Sequence, residues 1–527
     1  MKDSQTFARR LAIGIVCLAA VPYVAAWANA PDGMRFSGSI IEWPGDASYH
    51  LTWPRQAADG FWLFEDKFNG ERVASRLIFN WYFLALGLLA RLLGTQPMFI
   101  WYVAQVLWIV LTVRLCTRLA ERFFGEPVWG RLFVVLAVFG GGFGWLRFLF
   151  PNLRPGYLLD LERVETIPFA WMLCDVIVPP VAVVTLAIIL RYVDGIEGRR
   201  PALPALPLLF LALAYVHPHD CLPLGVTLTL AEGVRIASGQ TRIKESLRLL
   251  GAIAVILILP AGHYLLILQR APYLWSYVGL QDGYRLGDVA LAFPWHLLAA
   301  AGCIFYPHRP GERRFTLPAI WLATSLALLL SPTTLGNQHY LLHGMPFALS
   351  LLAVEGLRRW HRGGAFTRLG VSARRLTAAA AALALLATSV SLYAGKLYSG
   401  VVAYDAWYIP EAHHAAFDWL RVHARRDETA IATTSIGPNL TRFVGLRVRA
   451  VEEEQTADYA AAMERQQSWI DGRPEAREWL RETRAAWVVL AKAAPGQADI
   501  VPPPDPGLPL RRVFANDLVT VFRVVRP

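Results

Sequence analysis

Charge is scarce in this sequence. Asp, Glu, Lys and Arg make up 17% of its 527 residues while 55% are hydrophobic, against about a quarter charged in a soluble domain. That balance excludes an ordinary soluble globule. Cysteine is also sparse: Cys17, Cys116, Cys174, Cys221 and Cys303 form no close pair, and none follows residue 303. Neither a disulfide framework nor a metal–thiolate site is expected. Nucleotide signatures are missing too, with no G-x-x-x-x-G-K loop followed by Ser or Thr and no Rossmann glycine pattern. This argues against an ATP-driven pump and, less strongly, against a transferase fed by a cytoplasmic nucleotide sugar. There is no internal repeat, and the only low-complexity tract is the Pro-rich linker 501–509.

What the sequence does have is long apolar runs. Leu11 to Trp27, Leu132 to Phe150 and Leu376 to Tyr393 approach the ~20 residues that cross a hydrocarbon core. Eleven runs qualify: 11–28, 97–117, 131–150, 172–192, 203–217, 221–236, 247–268, 288–306, 316–331, 339–356 and 376–396. The formal charge of +11 does not signal nucleic acid, because the basic residues fall in short clusters between runs instead of along one stripe. Cytoplasmic loops are enriched in Lys and Arg. With eleven spans, every inside segment is basic, from Lys2/Arg9/Arg10 to Arg358/Arg359/Arg362. The N-terminus is then cytoplasmic and the C-terminal part extracytoplasmic. Counting Ile78 to Gly94 as a span would put all basic clusters but the first outside. That run is expected instead to be an interfacial helix, with Trp81 and Tyr82 at headgroup level. Ala26-Trp27-Ala28 also has the small-x-small form of a signal-peptide cleavage site; an uncleaved first helix is the preferred reading.

The expected fold is a polytopic α-helical membrane protein with about 11 transmembrane helices plus the interfacial helix. Residues 1–397 form the membrane domain, with a first outer loop at 28–96 and a second at 151–171. Residues 398–527 form a small extracytoplasmic α/β domain: an amphipathic helix over 411–425, strands at 429–433, 446–451, 486–490 and 519–525, and helices near 456–470 and 474–483.

Unusual polar residues collect on the outer side. The first loop reads Trp43-Pro44-Gly45-Asp46-Ala47-Ser48-Tyr49-His50, then Trp53, Gln56 and Asp59. Pro-Gly is a turn signal, and a helix beginning at Asp46 carries Tyr49, His50 and Trp53 at i+3, i+4 and i+7. The second loop places Asp160, Glu162 and Glu165 within six residues; they hold a divalent cation through oxygen ligands, or are solvated acids paired with Arg154 and Arg163. His217-Pro218-His219-Asp220 is either a Pro-containing hinge or a ligand site, since His and Asp at a membrane boundary need partners. Arg285 is a phosphate clamp or an interface anchor. Asn337, His339 and His343 stand near the outer end of the tenth span. Gly140-Gly141-Gly142 lies inside the third, where small residues permit close helix packing.

This layout resembles the GT-C superfamily of integral membrane glycosyltransferases, which includes protein O-mannosyltransferases, lipid A aminoarabinose transferases and oligosaccharyltransferases. The resemblance rests on the first span leading into Gly45-Asp46-Ala47-Ser48-Tyr49, the run 78–94, the acidic Asp160-Leu161-Glu162, the many spans and the outer C-terminal domain. It implies transfer of a sugar from a polyprenyl-phosphate donor to a glycan, lipid or protein acceptor, with inversion. Asp46 matches the activating acid. Asp46, Asp160 and Glu162 match the ligands of a divalent cation, Mg or Mn, in some branches, and Glu165 and His50 stand nearby. The first loop has Ala47 where some members carry a second acid. Arg285, His217 or His219 would face the lipid phosphate, and Tyr49, Trp53 and Asp59 would shape the acceptor or donor site. Membrane lipid is an expected partner and nucleic acid is not. The rival readings are a transporter or flippase for a lipid-linked glycan, for which the inverted repeat is lacking, and a GT-C-like scaffold without catalysis.

Overall fold

The structure, a computed structural model, describes residues 2–40, 44–68, 76–146, 167–199, 205–270, 286–305, 315–331, 343–364, 371–449, 459–470, 473, 484–492 and 510–525; within these, the side chains of residues 2, 44–46, 286, 288, 371, 373–375, 377, 378 and 459 are not described. The helices used below are α1 (Lys2–Ala28), α2 (Pro44–Ala58), α3 (Trp81–Leu92), α4 (Pro97–Phe123), α5 (Pro127–Phe139), α6 (Pro168–Cys174), α7 (Val178–Ile196), α8 (Ala205–Val216), α9 (Cys221–Ala237), α10 (Ile243–Arg270), α11 (Thr316–Leu329), α12 (Met345–Arg362), α13 (Val371–Val401), α14 (Glu411–His423), α15 (Gly437–Phe443) and α16 (Tyr459–Ile470). The strands are β1 (Met34–Phe36), β2 (Tyr408–Pro410), β3 (Thr429–Ala432), β4 (Arg447–Arg449), β5 (Trp487–Ala491), β6 (Leu510–Ala515) and β7 (Val519–Val524).

Five helices among the described residues are long and apolar enough to cross a membrane: Asp3–Ala28, Pro97–Phe123, Val178–Ile196, Ile243–Arg270 and Ala379–Val401. Five shorter apolar helices accompany them, among them Trp81–Leu92 and Pro294–Phe305. The chain is therefore an integral membrane protein, and helix covers part of each of the eleven apolar runs. It divides into two compact units.

The first unit comprises Met1–Val21, Ala104–Leu265 and Val278–Tyr398. Lipid tails are as apolar as leucine, so helices in a membrane are selected by close packing and polar ties. Both are present. Gly356 faces the Ala299 carbonyl so closely that an added Cβ would lie 2.0 Å from its oxygen. Glu232 of α9 accepts from Tyr192 of α7, Arg235 and Ser246 of α10. Arg122 of α4 pairs with Asp194 of α7 at 2.7 Å. Glu355, fully buried, pairs with Arg358 and Arg359, and Arg359 also donates to the Cys303 carbonyl. Three basic residues expected in the inside segment after the tenth run, Arg358, Arg359 and Arg362, thus sit on α12.

The glycine run corrects the expected third span. α5 stops at Phe139, and the backbone leaves the helix to bond with α13: Gly141 N–H donates to Leu385 O, and the Thr388 and Ser389 hydroxyls donate to Gly142 O and Phe139 O. A Cβ on Gly142 would lie 2.2 Å from the Ala292 oxygen. The glycines do permit close approach, as extended backbone and not as helix.

The second unit comprises Pro22–Val103, Leu266–Tyr277 and Ser399–Pro527. Its sheet runs β4-β3-β5-β7-β6, with β3 parallel to β4 and β5 and the pairs to β7 antiparallel. β5 is buried along its whole length, as a central strand covered on both faces must be. Ile431, Val488, Leu490, Phe522 and Val524 build the core with Trp469 of α16. The expected helix near 474–483 lies outside the described residues. β1 pairs antiparallel with β2, Met34 opposite Pro410. The segment after α2 joins the same body: Val448 N–H donates to the Lys67 carbonyl at 2.8 Å.

A buried charge cluster fixes that junction. Glu65, 1% exposed, pairs with Lys67 at 2.7 Å and with Arg447 at 2.8 Å. Burial by itself raises the Glu65 carboxyl, but Lys67 and Arg447 outweigh it and hold it below its ordinary 4.5. Burial pushes the Lys67 ammonium down, with Glu65 partly offsetting it. Removing one partner strands the others without counter-charge, which costs about 3–5 kcal/mol. Glu65→Gln is expected to lower thermal stability by that amount at neutral pH. Because the folded carboxyl is depressed, its contribution is complete above 4.5 and fades as pH falls through the lower folded value. Thermal unfolding of wild type and Glu65→Gln across pH should show the gap narrowing below 4.5; a pH-independent gap would contradict the assignment.

Candidate functional site

The first loop folds as a supported helix. Pro44 occupies the first turn of α2, where a missing N–H costs nothing and the fixed φ suits the helix. The helix puts residues 46 and 50 one turn apart, but the Asp46 side chain lies outside the described residues. α3 packs on α2 and starts at an Asn80 cap whose side chain accepts from Tyr82 and Phe83 N–H. This helix, twelve residues long, lies within the run 78–94 read from sequence. The two helices meet at Gly87, where a Cβ would stand 2.3 Å from both the Ala57 Cβ and the Pro54 oxygen. Gln56 clamps the following strand-like segment by donating to Glu65 O and accepting from Glu65 N, both at 3.0 Å.

The other first-loop residues take structural places. Tyr49 and Trp53 are buried in an aromatic cluster, Trp53 stacked on Phe64 and Tyr49 edge-on to Phe68. His50 is half-buried and stacks on Phe83 at 5.9 Å. Asp59 pairs with Arg55 at 3.5 Å and with Arg426. Of the residues expected to shape a substrate site, Tyr49 and Trp53 serve the packing beneath α2, and Asp59 ties its C-terminal end. Asp160, Glu162, Glu165 and Arg285 lie outside the described residues, as do Asn337 and His339.

The His217-Pro218-His219-Asp220 segment gives the most developed polar cluster. It forms the tight turn between α8 and α9, with Pro218–Asp220 a single 3-10 turn. His217 Nδ1 lies 2.6 Å from Asp220 Oδ2, and His343 Nδ1 lies 3.1 Å from the same oxygen. All three are buried, at 7%, 2% and 3% exposure. Trp171 of α6 meets His343 edge-on at 5.5 Å, and the His219 ring stands 5.3 Å from His217. Asp175, which caps α7 by accepting from Ile177 and Val178 N–H, also acts electrostatically on His217. The local motif was visible in sequence. Its junction with His343, 123 positions away, was not.

A groove of about 520 Å³ begins beside this turn. Pro218 and Cys221 line one end, Thr229 and Leu230 the other, with Pro260 and Tyr264 of α10 forming the opposite wall. At 1.5 Å per residue, it follows α9 from Cys221 to Leu230 for roughly 14 Å. Its lining is almost wholly apolar.

No protein-family model matches the chain, and no curated protein is similar to it in sequence. Solved structures are similar. Arabinofuranosyltransferase AftD from Mycobacteria aligns over 97% of this chain and 40% of its own, at 16% identity and a TM-score of 0.51; a mutant form of that protein aligns at 0.50. The archaeal oligosaccharyltransferase AglB from Archaeoglobus fulgidus aligns over 92% of this chain and 70% of its own, at 12% identity and a TM-score of 0.42. The likeness to AftD shows that the two share a fold, and the chain spans about 40% of that protein's length.

The seating of α2 is testable without any substrate. Gly87→Ala forces a methyl into the α2–α3 contact and is expected to destabilise by about 1–3 kcal/mol. Gly14→Ala, in α1 with nothing within 4 Å of the added Cβ, is expected to be neutral or slightly stabilising through helix propensity. Thermal unfolding of both variants in the same detergent reads the difference.

Proposed function

We propose that the chain is a membrane glycosyltransferase that moves a hexosyl or pentosyl unit from a polyprenyl-phosphate donor to a glycan, lipid or protein acceptor at the outer face of a plasma membrane. The observation that carries this reading is the fold shared with AftD over 97% of the chain, joined to a first-loop helix that begins at Pro44-Gly45-Asp46. The proposed topology is eleven spans, with the N-terminus cytoplasmic and the sheet-bearing C-terminal part outside.

In this reaction the Asp46 carboxylate takes the proton of the acceptor hydroxyl. The acceptor oxygen bonds to the anomeric carbon as the bond from that carbon to the phosphate oxygen breaks, and polyprenyl phosphate departs with the electron pair. A general base of this kind supplies about 10²–10⁴ in rate. The departing phosphate needs donors aimed at its developing charge, a role proposed for Arg285, His217 and His219. The apolar groove along α9 suits the isoprenoid tail. A divalent cation, Mg or Mn, held by Asp46, Asp160, Glu162 and Glu165 with His50 nearby, is a separate expectation of the same reading.

The test is transfer of radiolabelled sugar from polyprenyl-phosphate donors by purified protein, with and without Mg²⁺ or Mn²⁺. Asp46→Asn is expected to lose about 10²–10⁴ in turnover while eluting and melting as wild type does. Full activity in Asp46→Asn would remove Asp46 as the base. No turnover with any polyprenyl-phosphate donor would overturn the transferase reading itself.

A further inference from the structure

We propose that His217, Asp220 and His343 form a binding site for one first-row divalent cation of the zinc class. This site is separate from the acidic one expected on the outer loops, and it does not rest on the transferase reading.

The argument starts from convergence. Two ligand residues come from the turn between α8 and α9 and the third from the residues just before α12, yet one donor atom of each lies within 4.8 Å of the others. Ligands of a single ion at about 2.0–2.2 Å must stand this close together. The donor set is two imidazole nitrogens and one carboxylate oxygen, which suits zinc and its first-row neighbours; magnesium and calcium call for oxygen ligands. Three protein ligands leave a fourth position open.

Charge points the same way. Asp220 is 2% exposed, and Asp175 acts on the same imidazole. With neutral imidazoles the buried Asp220 carboxylate leaves a negative charge away from water, which a cation offsets, and the half-buried Asp175 adds to the negative field there. Among the described residues this is also the one group of three or more His, Cys, Asp or Glu side chains with such spacing. The competing arrangement uses the same atoms: each Nδ1–H donates to Asp220 Oδ2, and a metal ion would replace those two protons. Rigid support serves either case, because Pro218 limits the turn backbone and Trp171 walls His343.

The experiment strips the full-length protein with chelator in detergent and titrates it with Co²⁺, following visible d–d absorption, then with Zn²⁺. Expected is one saturable equivalent of Co²⁺ in wild type, displaced by Zn²⁺, and loss of that band in both His217→Ala and His343→Ala. His263→Ala, altered on α10 where the ring packs on Tyr215, should bind as wild type does. No uptake by wild type would overturn the proposal whatever the variants do. So would unchanged uptake in His217→Ala and His343→Ala. Metal uptake is read without turnover, so its failure leaves the transferase reading standing, and failure of sugar transfer leaves this site standing.

Discussion

A carboxylate taken out of water must be met by positive or hydrogen-bearing groups, since the cost of burying a lone charge is several kcal/mol even after relaxation. That requirement organises both units of this chain. Glu232 gathers a tyrosine, an arginine and a serine from three helices. Glu355 takes two guanidiniums. Asp220 takes two imidazoles from separate parts of the chain. Glu65 takes a lysine from its own segment and an arginine from the sheet. Apolar packing alone discriminates poorly between helices in lipid. Glu232, Asp220 and Glu65 therefore specify which elements are neighbours, and the groove along α9 lies between helices placed by such ties.

Hydropathy made the helical membrane part legible, because a run of apolar residues has one main use at that length. It could not mark where a helix gives way to other backbone inside the run. At Gly140 the helix ends because α13 offers hydroxyls and a carbonyl to the glycine backbone, and nothing local encodes that partner. Strand β6 escaped notice for a similar reason: Leu510-Arg511-Arg512-Val513-Phe514 carries adjacent charges and a register shift between Arg512 and Phe514, which breaks the alternation that identifies a strand.

The candidate site was readable in its short-range parts. Pro44 and the spacing of Tyr49 and Trp53 pointed to α2, and the run from Ile78 to Gly94 to α3. The resemblance implied a substrate-shaping role for those aromatics; their packing in one cluster under the helix came from tertiary partners such as Phe64. The buried pair Glu65 and Lys67 has no local sequence signal, because the Arg447 that also meets Glu65 lies 382 positions away. A helix braced by a glycine contact on one side and a clamped segment on the other is a rigid mount. Rigid mounts are what reactions governed by orientation require of the elements that carry their acids and bases.

The short β1–β2 ladder has a consequence for how the protein is made. Arg35 and Glu411, bonded across it, are 376 positions apart. At 5–20 residues per second, β1 leaves the ribosome about 20–75 s before its partner strand exists. The β1 end of the second unit must therefore wait, without its ladder partner, until the segment around residue 410 has been made. Keeping β1 to three residues limits the sticky edge that is open to neighbouring chains during that delay. Pairing of β1 is thus timed by synthesis of the chain past Pro410.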